Sequence, residues 1–252
     1  MESQPPAIPI MDFPILRLEG ILCAGDLHIG IEAEYSDKGI HLPSQTHRME
    51  QEILETRENE RDLVLLGDIK HMVPGSSRQE QSEVPRFLMR MGDSFDDVHL
   101  VRGNHDGGIE EFLPEMGVKI HPSTGFRIGE VGFVHGHTWP SNEVMASSLL
   151  VMAHTHPAIM FKDNLGRTTT EPCWLRCSFK EPNGRYAELP DELIVIPALN
   201  RSMGGSPVNL EGKKLLGPLL QSDLIDLENA RVYLLDGIFL GSLKDLRLQR
   251  SK

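Results

Sequence analysis

The sequence predicts a single α/β domain, and three observations lead there. Its 252 residues are 39% hydrophobic and 25% charged, enough to bury one sizeable core, and no linker, repeat or low-complexity stretch divides them. Short apolar runs of strand type alternate with charged segments of helical periodicity. Several of those apolar runs also end on an Asp, Asn or His, often after a glycine.

Taken in order, residues 14–18 and 21–24 read as two strands turning at Glu19-Gly20. The second leads into Gly25-Asp26-Leu27-His28. Residues 47–60 are charged, with a thin stripe of Met49, Ile53 and Leu54 that predicts a helix. Leu63-Val64-Leu65-Leu66 is a continuous apolar run, the pattern of a strand covered on both faces, and it ends in Gly67-Asp68-Ile69-Lys70-His71. A loop at Pro74-Gly75 precedes a helix over 79–91. The next strand, 98–101, delivers Gly103-Asn104-His105-Asp106. A short acidic helix over 107–116 should stop at Gly117. Residues 126–134 read as a hairpin turning at Gly129-Glu130 and leading to His135-Gly136-His137. A short helix over 142–148 and a strand over 149–153 then reach His154-Thr155-His156. Beyond this point ligand-type residues thin out. There is a turn at 163–166, a strand over 193–196 followed by Asn200-Arg201 and a loop over 202–209, and a hairpin around Asp236-Gly237.

The net charge of −12 argues against a general basic surface for nucleic acid. It does not exclude a phosphate substrate, because bound cations invert the local field. Three cysteines give no disulfide framework and point to a reducing compartment. Cys173 and Cys177 are half of a zinc pattern without its partner and read as strand or loop thiols. Residues 1–11 read as a flexible start without signal-peptide character, and no segment is apolar for long enough to cross a bilayer. The expectation is a soluble cytoplasmic protein; the sequence sets no oligomeric state.

On an extended segment, side chains two apart face the same way, so Asp26 should face with His28, and His154 with His156. Asp68, Asn104 and His135 arrive from three further strand ends, where open α/β sheets build their sites. These seven ligand candidates are too many for one ion that keeps an open position. Two ions bridged by Asp68 would use them all, the arrangement that acts on phosphate esters. His105 can move a proton and Asp106 can orient it. His41, His47, His99 and His121 match no cluster and read as structural or surface residues; His137 is left outside the ligand set.

Asp26-Leu27-His28, Gly67-Asp68, Gly103-Asn104-His105-Asp106, His135-Gly136-His137 and His154-Thr155-His156 together resemble the five motifs of the calcineurin-like binuclear metallophosphoesterases, in the family's order. They span about half of the chain. The resemblance implies a four-layer α/β/β/α sandwich of two mixed sheets. It puts Asp26, His28, Asp68 and His156 on one metal, and Asp68, Asn104, His135 and His154 on a second. It gives His105 the role of acid to the leaving oxygen, with Asp106 behind it. It favours Mn²⁺, with Fe or Zn²⁺ as alternatives. The implied activity is a phosphodiesterase or nuclease on small phosphodiesters or single-stranded nucleic acid, using a hydroxide activated by the two ions. A phosphomonoesterase or cyclic-nucleotide enzyme on the same site, and a non-catalytic scaffold, are the rival readings.

Gly67-Asp68-Ile69-Lys70-His71, Trp174-Leu175-Arg176 and Pro197-Ala198-Leu199-Asn200 with Gly204-Gly205 are similar to a narrower group, phosphoesterases associated with DNA ligases and helicases in DNA repair. Asn200 and Arg201, on a glycine-rich loop, are the expected substrate contacts. Two positions depart from the family pattern. Ala153 stands where glycine is usual, which requires an ordinary strand backbone there, and Lys70-His71 replaces the usual polar residues after Gly-Asp.

Overall fold

The computed structural model describes residues 7–113, 117–182 and 184–249. The chain forms two sheets one after the other. The first holds β1 (Ile8–Pro9), β2 (Leu16–Leu18), β3 (Ile21–Ala24), β4 (Asp62–Leu65), β5 (Asp97–Val101) and β6 (Val118–His121), in that spatial order. The β1–β2 and β2–β3 pairs are antiparallel, and β3 to β6 run parallel. The second holds β7 (Phe126–Ile128), β8 (Val131–Val134), β9 (Leu149–Met152), β10 (Pro157–Lys162), β11 (Thr168–Cys177), β12 (Glu192–Val195) and β13 (Ser206–Pro207), with β14 (Arg231–Leu234) and β15 (Phe239–Ser242) branching from β11. In it, β8, β9 and β12 are mutually parallel. Both sheets are therefore mixed. Of the segment 1–11, residues 1–6 lie outside the described residues, and Ile8 and Pro9 pair with Arg17 and Leu16.

Strand alternation sorts the apolar side chains into three buried layers. In β3 and β4, Cys23, Val64 and the adjoining Leu66 point inward to the second sheet; there they meet Phe133, Val151, Trp174 and Ile194. Leu22, Leu63 and Leu65 point outward, under helices α2 (Thr46–Thr56) and α3 (Arg78–Ser94), which supply Met49, Ile53, Val84, Phe87, Leu88 and Met91. Leu150, Met152, Leu193 and Val195 point outward from the second sheet. The four apolar residues at 63–66 are thus continuous because each face of β4 is covered.

The two outer layers differ in kind. Over the first sheet lie α2 and α3, while α1 (Ile31–Asp37) follows directly on the His28 turn. Over the second, the only α-helix among the described residues is α4 (Asn142–Met145); the rest of the cover is irregular chain over 208–230, through Leu215, Leu219, Leu220, Leu224 and Ile225. The short helix expected over 107–116 is a 3₁₀ turn at Ile109–Phe112; residues 114–116 lie outside the description.

A candidate metal centre at five strand ends

Five strands, β3, β4 and β5 parallel in one sheet and β8 and β9 parallel in the other, deliver Asp26/His28, Asp68, Asn104/His105, His135 and His154/His156. The side chains converge in three groups: Asp26 with His28 and His156, Asp68 with His135 and His154, and, without a carboxylate, His28 with His71 and His105. Asp68 Oδ2 lies 3.5 Å from His28 Nε2 and 3.3 Å from His135 Nε2, so one carboxylate oxygen faces both of the first two groups. His156 Nε2 is 3.3 Å from Asp26 Oδ1. The Asn104 carboxamide oxygen is 3.2 Å from His135 Nε2. All seven expected ligands are brought to one place.

The backbone achieves this differently from the sequence reading. Asp26, His28, Asp68, His154 and His156 all have positive φ (56°, 42°, 50°, 66° and 45°), so the paired residues face together as left-handed turns and not as alternating strand positions. Each such residue costs about 1–2 kcal/mol, and strain of this kind gathers at functional sites. Local hydrogen bonds hold the turns. The His28 amide donates to the Asp68 carbonyl (2.8 Å), the His154 amide to Asp26 Oδ2 (3.0 Å) and the His105 amide to Asp68 Oδ1 (2.8 Å). Gly103 is required because a Cβ there would overlap the Asp68 carboxylate and amide. Ala153 does not adopt a positive φ, so its methyl is tolerated; Gly25 makes room for it, since a Cβ at 25 would come within 2.9 Å of Ala153 Cβ.

Two expected roles change. Asp106 is buried, and its carboxylate accepts hydrogen bonds from the Asp68, Ile69 and Gly103 amides (2.8 Å each). It therefore fixes the two ligand loops to one another, and the orienting contact on the His105 ring comes instead from the His71 carbonyl, bonded to His105 Nδ1. Asn200 is buried, with its carboxamide already engaged by the Leu27 carbonyl (2.8 Å) and the Ser202 amide (3.0 Å). One amide N–H and the carboxamide oxygen thus brace the loop that carries it. Arg201 is exposed and is held by the Asp12 carbonyl (3.1 Å) and Glu52 (3.2 Å).

His71 is the residue the sequence did not assign. Its Nδ1 is 3.3 Å from His28 Nδ1, and its Nε2 is 2.7 Å from Glu34. With Nε2 of His28 turned to the ligand groups, His28 Nδ1–H donates to His71, and His71 donates to Glu34, an outer chain that orients a ligand imidazole. Two buried charges fix the segment carrying His71. Lys70 Nζ donates to the Met72 and Gly75 carbonyls (2.6 and 3.0 Å), and Glu80 accepts from the His71 and Met72 amides (2.8 and 2.6 Å). The Lys70-His71 departure thus has a structural use. Its one sequence signal was its place three residues after Asp68.

The carboxylates and imidazoles set one another's charge. Burial alone would raise the Asp26 carboxyl, but His156 and His135 outweigh it and hold it low. Asp68 is also held low, against burial, by His135 and His28. Burial opposes charge on His135 too, yet Asp68 and Asp26 raise it to about 9. Burial pushes His28 down to about 3, and His154 and His137 to about 4. Asp26 Oδ1 and His28 Nε2 are buried without a hydrogen-bond partner, as expected of atoms made to hold something else. The donor set of carboxylates, imidazoles and a carboxamide fits divalent ions. Cys173 and Cys177 lie on β11 as buried free thiols, pushed up by burial, in no ligand group among the described residues.

The sequence of residues 20–192 matches the family model for calcineurin-like phosphoesterases. The chain belongs to that family. Its members are metal-dependent phosphoester hydrolases, and the two mixed sheets and clustered His and Asp residues of this phosphoesterase agree with membership. The crystal structure of the Pseudomonas putida nuclease MPE matches with a TM-score of 0.52 at 15% identity, covering 92% of this chain and 95% of that one. YfcE, a phosphoesterase from E. coli, matches with a TM-score of 0.38 at 16% identity, over 88% and 96%. A Vps29 double mutant from Entamoeba histolytica matches with a TM-score of 0.28 at 14% identity, over 64% and 86%. No curated protein matches the sequence. No described helix is long and apolar enough to cross a membrane.

Proposed function

We propose that this phosphoesterase is a binuclear phosphodiesterase acting on small phosphodiesters or short single strands of nucleic acid. The observation that carries this reading is Asp68 Oδ2, placed between the His28 and His135 imidazoles (3.5 and 3.3 Å). One ion would be held by Asp26, His28, Asp68 and His156, and the other by Asp68, Asn104, His135 and His154. When bound, two divalent ions supply Lewis acidity for a phosphoryl group and a water of lowered pKa. Mixed oxygen and nitrogen ligands without thiolate suit Mn²⁺, with Fe or Zn²⁺ as alternatives.

His105 is the acid. Its Nδ1–H is committed to the His71 carbonyl, leaving Nε2 to carry a proton to the leaving oxygen. The His28 ring packs edge-on against it at 4.7 Å and the His71 ring stacks on it at 5.6 Å, so its plane is fixed beside the ligand group. Asp106 keeps the Asp68 and Gly103 loops in register, which sets the distance from His105 to Asp68.

The net charge of −12 favours small diesters or short strands over a long duplex, which needs a basic track. The nuclease activity of the Pseudomonas putida protein makes nucleic-acid diesters the first class to try. The motif likeness to ligase- and helicase-associated phosphoesterases extends the reading to DNA repair in the cytoplasm. Comparing bis-aryl, mono-aryl and cyclic phosphate esters with added Mn²⁺ tests it. The diester should be cleaved fastest, activity should vanish with chelator, and Mn²⁺ should restore it. Preference for the monoester would instead favour a phosphomonoesterase, and inertness with every metal would favour a scaffold.

A further inference from the structure

The loop after β12 has no part in the chemistry above. It passes beside the ligand group, where the Leu199 and Asn200 amides donate to the Gly25 and Asp26 carbonyls (2.9 and 3.3 Å). It then turns back so that β13 pairs with β10. Gly205 permits that return, since a Cβ there would overlap Ala158 Cβ. The loop closes one side of a cavity of about 270 Å³ whose lining includes His156. Pro14, Pro157, Pro172 and Leu235 give it apolar walls, and Thr170, Glu171, Asn200 and Arg201 give it polar groups.

We infer that this cavity receives the nucleobase of a nucleoside phosphodiester whose phosphate sits at the ligand groups. The inference rests on the phosphodiesterase reading. His156 belongs both to a ligand group and to the cavity wall, so one substituent of a phosphate held there enters the cavity. The polar groups decide which substituent. The Nη2 of Arg201 is already engaged by Asp12 and Glu52, so the guanidinium offers its remaining N–H donors more than an unpaired charge. Glu171 accepts hydrogen bonds and repels a second phosphate. A neutral, planar group with both donors and acceptors fits apolar walls that carry a carboxylate, a guanidinium, a hydroxyl and a carboxamide; a nucleobase is such a group.

The rim limits the length of the substrate. Past Leu235 the surface carries Asp12, Glu171 and Asp236. Carboxylates there oppose a continuing phosphodiester backbone, which binds where cations line its path. The site therefore takes one terminal nucleoside and not a threaded strand.

Two substrates with one leaving group test this on the full, Mn²⁺-loaded protein: thymidine 5′-(4-nitrophenyl phosphate) and methyl 4-nitrophenyl phosphate. The parent should prefer the thymidine ester in kcat/KM by about tenfold or more, through KM. Thr170→Phe, which fills the cavity from its wall, and Glu171→Ala should each reduce that preference by about fivefold or more. Absence of a preference in the parent, or a ratio unchanged within about twofold in both variants, overturns the assignment while leaving the phosphodiesterase reading intact. A parent that cleaves neither ester overturns that reading, and the cavity assignment falls with it.

Discussion

Two groups of histidines can be compared in this molecule. At the ligand end, His28, His135, His154 and His156 surround Asp26 and Asp68. Elsewhere, His99 of β5 and His121 of β6 stack at 5.1 Å with Nδ1 and Nε2 2.9 Å apart, and Phe126 of β7 stacks on His121 at 3.6 Å. Both groups are crowded and at least half-buried. They differ in company and in backbone. The first has carboxylates, left-handed turns and unpartnered buried atoms. The second has ordinary strand backbone, an aromatic lid and Lys119 nearby, and its nitrogens bond to each other. Proximity of imidazoles is common to both; the shared carboxylate and the backbone turns that aim the rings inward are what set the first group apart as the candidate metal centre.

The largest test of that contrast removes the shared carboxylate. Asp68→Ala should lower turnover by at least about 10³-fold and deplete the protein of metal, because it takes a ligand from both groups at once. His105→Ala sharpens the distinction between ligand and acid. It should keep its metal and lose about 10²–10⁴-fold in kcat on a diester with a poor leaving group. Parent-like turnover in that variant would remove the acid role.

A third prediction uses charge. His135, raised to about 9 by Asp68 and Asp26 against the effect of burial, is protonated at pH 7 in the metal-free protein. An arriving ion must displace that proton. Apparent affinity should therefore climb as pH rises towards 9, by about tenfold per pH unit for each proton released, with proton release visible in buffers of differing ionisation enthalpy. An affinity flat between pH 6 and 8 would contradict the assignment.

The smallest effect belongs to the other histidines. His121 is lowered to about 4, first by burial and then by His99 and Lys119. Its unfolded form binds a proton more readily, so this residue costs stability as pH falls from its unfolded value near 6.5 towards 4. His121→Phe should shift the acid-unfolding midpoint to lower pH in denaturant titrations and leave metal content alone. A loss of bound metal in this variant would blur the contrast between the two groups.

Much of this was legible in the sequence, for identifiable reasons. β3, β4, β8 and β9 are buried along their length and contain no charged residue beyond the first position, so each appears as an apolar run; β5 does so except at His99. Gly129-Glu130 marks the β7–β8 hairpin and Asp236-Gly237 the β14–β15 hairpin. The hairpin of β10 and β11 was marked only by its turn at 163–166, because residues 168–171 of β11 are polar and exposed. α1 buries only Ile31 and Glu32 and has no apolar stripe to read. The ligand residues were identified from their types and positions after strands. Their left-handed conformation was not, because nothing local to an Asp or His announces a positive φ. Asp106 and Asn200 were assigned to chemistry because a buried carboxylate or carboxamide that binds backbone amides looks the same in sequence as one that binds substrate.

The account is tested most directly by counting metal. The protein reconstituted with Mn²⁺, freed of excess by gel filtration and analysed by plasma mass spectrometry, should carry two ions per chain, as Asp68 facing both ligand groups requires. One ion per chain, or none, would contradict it.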